Sequence, residues 1–282
     1  MLNKKIFIKN NSSPLTPIPT KMRPKNTLKN KIKAIFFDIY GTLFISASGD
    51  ISLAQKNSAE NLKISQLLKK YQIKKNITEL LKEFFQAIKS KHKILKKQGI
   101  DYPEIIIEEI WMQVLNVKDK EKAKDFSLEY ELIVNPIYPF PHLKKILKTF
   151  QKNLIPLGII SNAQFFTPLL FPAFLGQNLK ELGFLEEFLF FSYEHQQAKP
   201  SLFLFEKAKT ALKKQHISPQ NTLYLGNDML NDIYPARTIG FQTALFAGDK
   251  RSLRLRKNNQ ICNHISPELI ITELNQLLEF TI

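Results

Sequence analysis

The sequence predicts an α/β fold, a doubly wound parallel sheet with a helical segment inserted after its first strand. Three observations carry this. Short apolar runs end abruptly in polar residues at Phe37-Asp38, Ile160-Ser161 and Leu225-Gly226-Asn227-Asp228. Helical patterns alternate with such runs after residue 137. Between about residues 58 and 135 only helical spacing of apolar residues is seen. At 282 residues the chain can bury one large core, or a core and a smaller inserted domain.

Each element follows in order. Residues 1–31 read as a basic, disordered tail. The first 33 residues hold no acidic residue and four prolines, Pro14, Pro17, Pro19 and Pro24. Such a segment cannot bury enough apolar surface to order itself alone. It lacks the sustained apolar stretch of a secretory signal, and Met22 is an alternative start. A strand is expected at about 32–38. Its run Ala34-Ile35-Phe36-Phe37 suits a strand buried on both faces, and Gly41 marks the turn after it. Asp38, at its carboxyl end, fits two roles, a turn cap or a ligand-facing carboxylate. Residues 47–136 read as the insertion, with Leu80, Leu81, Phe84, Phe85 and Ile88 at helical spacing, then Ile105, Ile106, Ile110, Trp111 and Leu115. Pro136, Pro139 and Pro141 mark its end. Residues 32–46 and 137–282 form the core. Helices are expected over 142–152, 201–214 and 267–279, and strands over 154–160, 188–192, 222–225 and 242–246.

Composition narrows the partners. No apolar stretch approaches a membrane span, so no membrane contact is expected. Cys262 is the single cysteine, which excludes a disulfide framework and points to a reducing, cytoplasmic setting. The formal charge is +16, but the lysines are scattered along the chain with no aromatic-interleaved basic motif. A solvated, lysine-rich surface is expected, with no nucleic-acid partner; small anionic substrates remain compatible. Arg251, Arg254 and Arg256 form a basic cluster that reads as a solvated face.

The polar residues at the strand ends form a set. In a parallel sheet they converge on one edge. Asp38, Ser161-Asn162, Lys199-Pro200 and Asp228 would bring a carboxylate nucleophile, a hydroxyl, an ammonium and further acids together there. That combination suits transfer of an anionic group. In these residues the chain resembles the haloacid dehalogenase-like (HAD) hydrolase superfamily, with a helical cap. Asp38-Ile39-Tyr40-Gly41-Thr42-Leu43 resembles the first motif, Ser161-Asn162 the second, and Lys199-Pro200 the third. Gly226-Asn227-Asp228-Met229-Leu230-Asn231-Asp232 resembles the fourth. The resemblance implies a Rossmannoid core and a phosphate-ester hydrolase using Mg²⁺. In it Asp38 is the nucleophile; Ser161 and Lys199 are catalytic; Thr42, Ser161, Asn162 and Lys199 bind the substrate. Asp38, the Tyr40 carbonyl, Asp228 and Asp232 hold the metal, Asp232 being a ligand or the group that orients Lys199.

Two departures matter. Phosphatases of the superfamily carry a second Asp two residues after the nucleophile, as general acid and base. Here it is Tyr40, whose phenol is a poor base at neutral pH. Asp50 is a candidate substitute. Tyrosine at this position resembles the L-2-haloacid dehalogenases, which need no metal but use a cap-side arginine; this chain has none between Arg23 and Arg237. In the fourth motif Asn227 stands where the first acid is usual, so Asn227 and Asp228 compete for the first metal position. A dehalogenase-like enzyme and a catalytically weak, phosphate-binding relative are the alternative functions.

Overall fold

A computed structural model describes residues 3–47 and 58–281. Asp50 lies outside the described residues. The chain opens with α1 (Lys4–Asn10) and β1 (Lys25–Asn26), then β2 (Ala34–Phe37) and β3 (Phe44–Ser46). The helices α2 (Ser58–Lys70), α3 (Ile77–Lys97), α4 (Ile107–Leu115) and α5 (Lys120–Val134) follow, and β4 (Ile137–Pro139) returns beside β3. After it come α6 (Leu143–Lys152), β5 (Leu157–Ser161), α7 (Leu170–Leu175), β6 (Phe184–Phe191), α8 (Ser192–His195) and α9 (Phe203–Lys214). The chain ends with β7 (Thr222–Gly226), α10 (Tyr234–Thr238), β8 (Gln242–Phe246), α11 (Gln260–Asn263), β9 (Leu269–Ile271) and α12 (Gln276–Thr281).

Seven strands form the main sheet in the order β1-β9-β8-β7-β2-β5-β6. All neighbours are parallel except the β1–β9 pair. The order runs outward from β2 in both directions, so its carboxyl end lies at the crevice where open α/β sheets bind ligands. Alternation places Ala34 and Phe36 on one face with Phe188, Leu204 and Phe205, and Ile35 and Phe37 on the other with Ile159, Leu223 and Leu225. This is why the run is apolar throughout: both faces are covered by helices.

The four helices of the insertion leave the core through β3 and return through β4, whose antiparallel register pairs Phe44 with Pro139 and Ser46 with Ile137. They close around Trp111, which stacks on Phe84 at 4.3 Å and meets Phe126 and Tyr130 edge-on at 4.7 and 4.9 Å. Asn76 and Asp119 cap α3 and α5 by accepting from Glu79 N and Glu121 N.

Two expectations are corrected. The N-terminal segment is not a disordered tail. Ile8 of α1 is fully buried, and Lys4 pairs with Glu121 at 3.0 Å and Asp125 at 2.8 Å on α5. Residues 16–20 lie along the core, with Thr20 Oγ1 donating to Ala247 O at 2.7 Å, and β1 adds an edge strand. The segment cannot order itself alone, but the rest of the chain supplies the apolar surface and acids it lacks. At the other end, residues 267–279 are not one helix. Leu269-Ile270-Ile271 extends the sheet as β9, and only α12 is helical. Glu268 accepts from Thr243 N at 2.9 Å, which fixes this strand beside β8.

Candidate active site

The carboxyl ends of β2, β5 and β7 deliver the site. Asp38 follows β2 and is 6% exposed. Its Oδ1 accepts from Ser161 Oγ at 2.9 Å and from Lys199 Nζ at 2.7 Å. The turn after it needs Gly41, whose φ is +80° and where a Cβ would lie 2.5 Å from that of Ser252. Ser161 ends β5 and is fully buried.

Lys199 reaches the site from the loop before α9. Its ammonium contacts Asp38, Asp232 Oδ1 at 2.5 Å and the Tyr224 hydroxyl at 3.1 Å. Burial works to lower its pKa, but Asp232 and Asp38 outweigh this and hold it above the ordinary lysine value. Asn162 fixes the Lys199 backbone: its Oδ1 accepts from Lys199 N at 2.7 Å and its Nδ2 donates to Lys199 O at 3.3 Å. The Asn162 side chain, expected to bind substrate, is therefore committed to the lysine loop.

Asp232 has the geometry of the group that orients Lys199. Its Oδ2 accepts from Asn227 N and Asp228 N, at 3.0 and 2.9 Å, and its Oδ1 takes Lys199 and Tyr224. Burial pushes its carboxyl up, to about 6, against the pull of Lys199. Gly226 makes room, since a Cβ there would sit 2.3 Å from Asp232 Cγ.

Asn227 and Asp228 diverge. Asn227 turns toward Asp38: its Oδ1 accepts from Thr42 Oγ1 at 3.1 Å, and that hydroxyl lies 3.5 Å from Asp38 Oδ2. Thr42, expected to bind substrate, thus holds Asn227. Asp228 caps the turn at 229–233 by accepting from Leu230 N at 2.9 Å, and its carboxylate also pairs with Arg256 Nη2 at 2.6 Å. Tyr40 is partly buried, and its hydroxyl is 2.9 Å from Thr167 Oγ1. Burial, then Glu131 and Asp38, push the phenol far above the usual range, so it stays neutral and is no base.

These groups line a cavity of about 330 Å³ between core and insertion. The core contributes Asp38, Lys199, Asn227 and Asp228, and the insertion contributes Glu104, Glu131 and Asn135. Arg254 and Arg256, expected on a solvated face, also line it. They were not legible because only the return of the loop after β8 brings them there: Arg254 N donates to Asn227 O at 3.0 Å. Tyr224 and Glu131 did leave a signal, a phenol inside an apolar strand and an acid on an apolar helix face.

The donor set suits a hard cation held lightly. Asp38 and Asp228 offer carboxylates and Tyr40 a carbonyl, all oxygen ligands, while Asp228 shares its charge with Arg256. Among the described residues, no three His, Cys, Asp or Glu side chains converge as a metal cluster.

A carboxylate at the carboxyl end of β2, with a hydroxyl and a buried lysine on it beneath a helical insertion, is carried by a Rossmannoid sheet. The model of the haloacid dehalogenase-like hydrolases matches residues 32–240, and the chain belongs to that family. It is similar to the glyceraldehyde 3-phosphate phosphatase of Pyrococcus furiosus, 24% identical over 88% of this chain and 92% of the relative. The glyceraldehyde 3-phosphate phosphatase of Methanocaldococcus jannaschii is 26% identical over 75% and 83%. Among solved structures, the 2-haloacid dehalogenase of Pseudomonas syringae pv. tomato aligns with TM-score 0.55 at 17% identity, over 88% of this chain and 97% of that one. A HAD phosphatase from Thermococcus onnurineus aligns with TM-score 0.53 at 15% identity, over 88% and 97%. These two likenesses concern the fold.

Proposed function

We propose that the protein is a Mg²⁺-dependent phosphatase that hydrolyses a small phosphate ester through an aspartyl-phosphate on Asp38. The observation that carries this is the Asp38–Lys199–Asp232 arrangement with Ser161 on the same carboxylate oxygen. It fixes one oxygen of the nucleophile and keeps a positive charge beside it. The two relatives named as phosphatases support the choice of phosphorus over carbon as the centre attacked. Asp38 forms the new P–O bond, the ester oxygen departs, and water then releases phosphate and restores Asp38. Lys199 and Ser161 neutralise charge on the transferring oxygens. Asp38, the Tyr40 carbonyl and Asp228 would hold Mg²⁺, with Asn227 as a neutral neighbour. When bound, the ion offsets charge between the nucleophile and the phosphoryl group. A single cysteine fits a reducing cytoplasm, and among the described residues no helix is long and apolar enough to cross a membrane. Asp38→Asn should abolish turnover of an aryl phosphate. Wild-type protein that releases no phosphate with Mg²⁺ and traps no acyl-phosphate would sink the reading.

Tyr40 favours a second reading, displacement of halide from a 2-haloacid. Arg254 and Arg256 in the cavity supply from the core the arginines that the insertion lacks. Metal-independent halide release would establish it, and strict Mg²⁺ dependence would exclude it.

A further inference from the structure

The family's usual acid is missing at Tyr40, and the neutral phenol cannot replace it. Three other carboxylic acids of the cavity are engaged. Asp232 is held by Lys199, Tyr224 and two backbone amides. Asp228 is held by Arg256 and a helical turn. Glu104 accepts from Ser192 Oγ at 2.8 Å, Ile105 N at 3.0 Å and Gln164 Nε2 at 3.3 Å. Each is tied down on both oxygens.

Glu131 differs. It projects from α5 into the same cavity as Asp38, and its Oε1 accepts from Asn135 Nδ2 at 2.9 Å. Asn135 is itself fixed from the β3 strand, where Ser46 Oγ donates to its Oδ1 at 2.8 Å. One oxygen is therefore aimed by a rigid pair on the stem of the cap, and the other carries no such tie. Asp38, Tyr40 and Glu131 line one cavity, and the charges of Glu131 and Asp38 both help to raise the Tyr40 phenol.

We propose that Glu131, supplied by the cap, is the general acid and base of the reaction, doing from the insertion what the family's second aspartate does from the core. Burial keeps its carboxyl above the ordinary glutamate value, so a protonated form is accessible. In the first half-reaction Asp38 bonds to phosphorus, the P–O bond to the alcohol breaks, and the Glu131 proton goes to the departing oxygen. In the second, Glu131 takes a proton from water as the water oxygen bonds to phosphorus; the P–O bond to Asp38 breaks, leaving free phosphate, the Asp38 carboxylate and Glu131 protonated as at the start. The assignment rests on the phosphatase reading above.

The test compares esters whose leaving groups differ in their need for a proton. Wild-type and Glu131→Gln proteins are given, with Mg²⁺, an activated aryl phosphate and an alkyl phosphate. Glu131→Gln should lose alkyl phosphate turnover by at least about 100-fold, the low end for general acid–base help. The aryl phosphate should give a burst of about one equivalent of phenol, then slow turnover with acyl-phosphate trapped on Asp38. Glu131→Asp, which keeps the acid but draws it back by one methylene, should fall between the two. A merely structural role would lower both substrates equally in both variants, with no burst, and would overturn the assignment. So would unchanged alkyl turnover. If wild-type protein cleaves neither ester, the phosphatase reading falls and this assignment with it.

Discussion

Lys199 decides the electrostatics of the site. Its ammonium is the bridge between Asp38 and Asp232, and all three are at most 6% exposed. Replacing it by methionine keeps the length but leaves two carboxylates facing each other in a desolvated space. Breaking a buried pair in this way costs about 3–5 kcal/mol. Lys199→Met should therefore lower the unfolding free energy in urea by that order and abolish aryl phosphate turnover. A variant as stable as wild type would mean that Lys199 is not a structural ion of the site. Asp38, Ser161, Lys199 and Asp228 were legible in the sequence because each follows or precedes a regular element at a fixed place in the sheet. The contacts of Asn162 and Thr42 were not. Their side chains are directed by the Lys199 backbone and by Asn227, contacts that join residues 37 and 185 positions apart. Local spacing carries no record of such pairs.

At the scale of elements, the strands of the sheet interior were readable because an apolar run flanked by turns has few alternatives. The ends of the chain were not, because their order depends on what they pack against. The helix α1 is too short to be stable alone. It persists by burying Ile8 between α7 and the cap and by the Lys4 pairs on α5. Ile8→Ala removes a fully buried side chain and should cost about 2–5 kcal/mol if the surroundings do not collapse into the gap. Lys4→Ala, at a partly exposed pair, should cost no more than about 1 kcal/mol. Urea unfolding of the two variants separates the contributions. An Ile8→Ala protein as stable as wild type would show that α1 is not docked. The same dependence on packing explains β9. Leu269-Ile270-Ile271 is helical by spacing alone, yet β8 offers it an unpaired edge, and Glu268 ties it there.

The molecule as a whole is a core and a helical insertion joined by two short strands. The core presents Asp38 and Lys199, the insertion presents Glu104, Glu131 and Asn135, and the cavity belongs to both. A ligand that fills it must bind the native state better than the unfolded chain. At 100 times its dissociation constant, such a ligand adds about 2.7 kcal/mol to stability. For a chain of this size each kcal/mol raises the melting temperature by about 2–4 °C. Beryllium fluoride with Mg²⁺, a mimic of phosphate on a carboxylate, should accordingly raise the melting temperature of the wild-type protein by about 5–10 °C. The rise needs both components if the ion sits beside Asp38, since Mg²⁺ offsets the carboxylate charge that would repel the fluoride anion. It should vanish in Asp38→Asn, which lacks the carboxylate that carries the mimic. Scanning fluorimetry of the two proteins, with Mg²⁺ alone, beryllium fluoride alone and both together, reads this directly. A wild-type protein indifferent to the pair would argue against a phosphoryl group between core and cap. A rise that persists in Asp38→Asn would place the anion elsewhere, with Arg254 and Arg256 as the next site to examine.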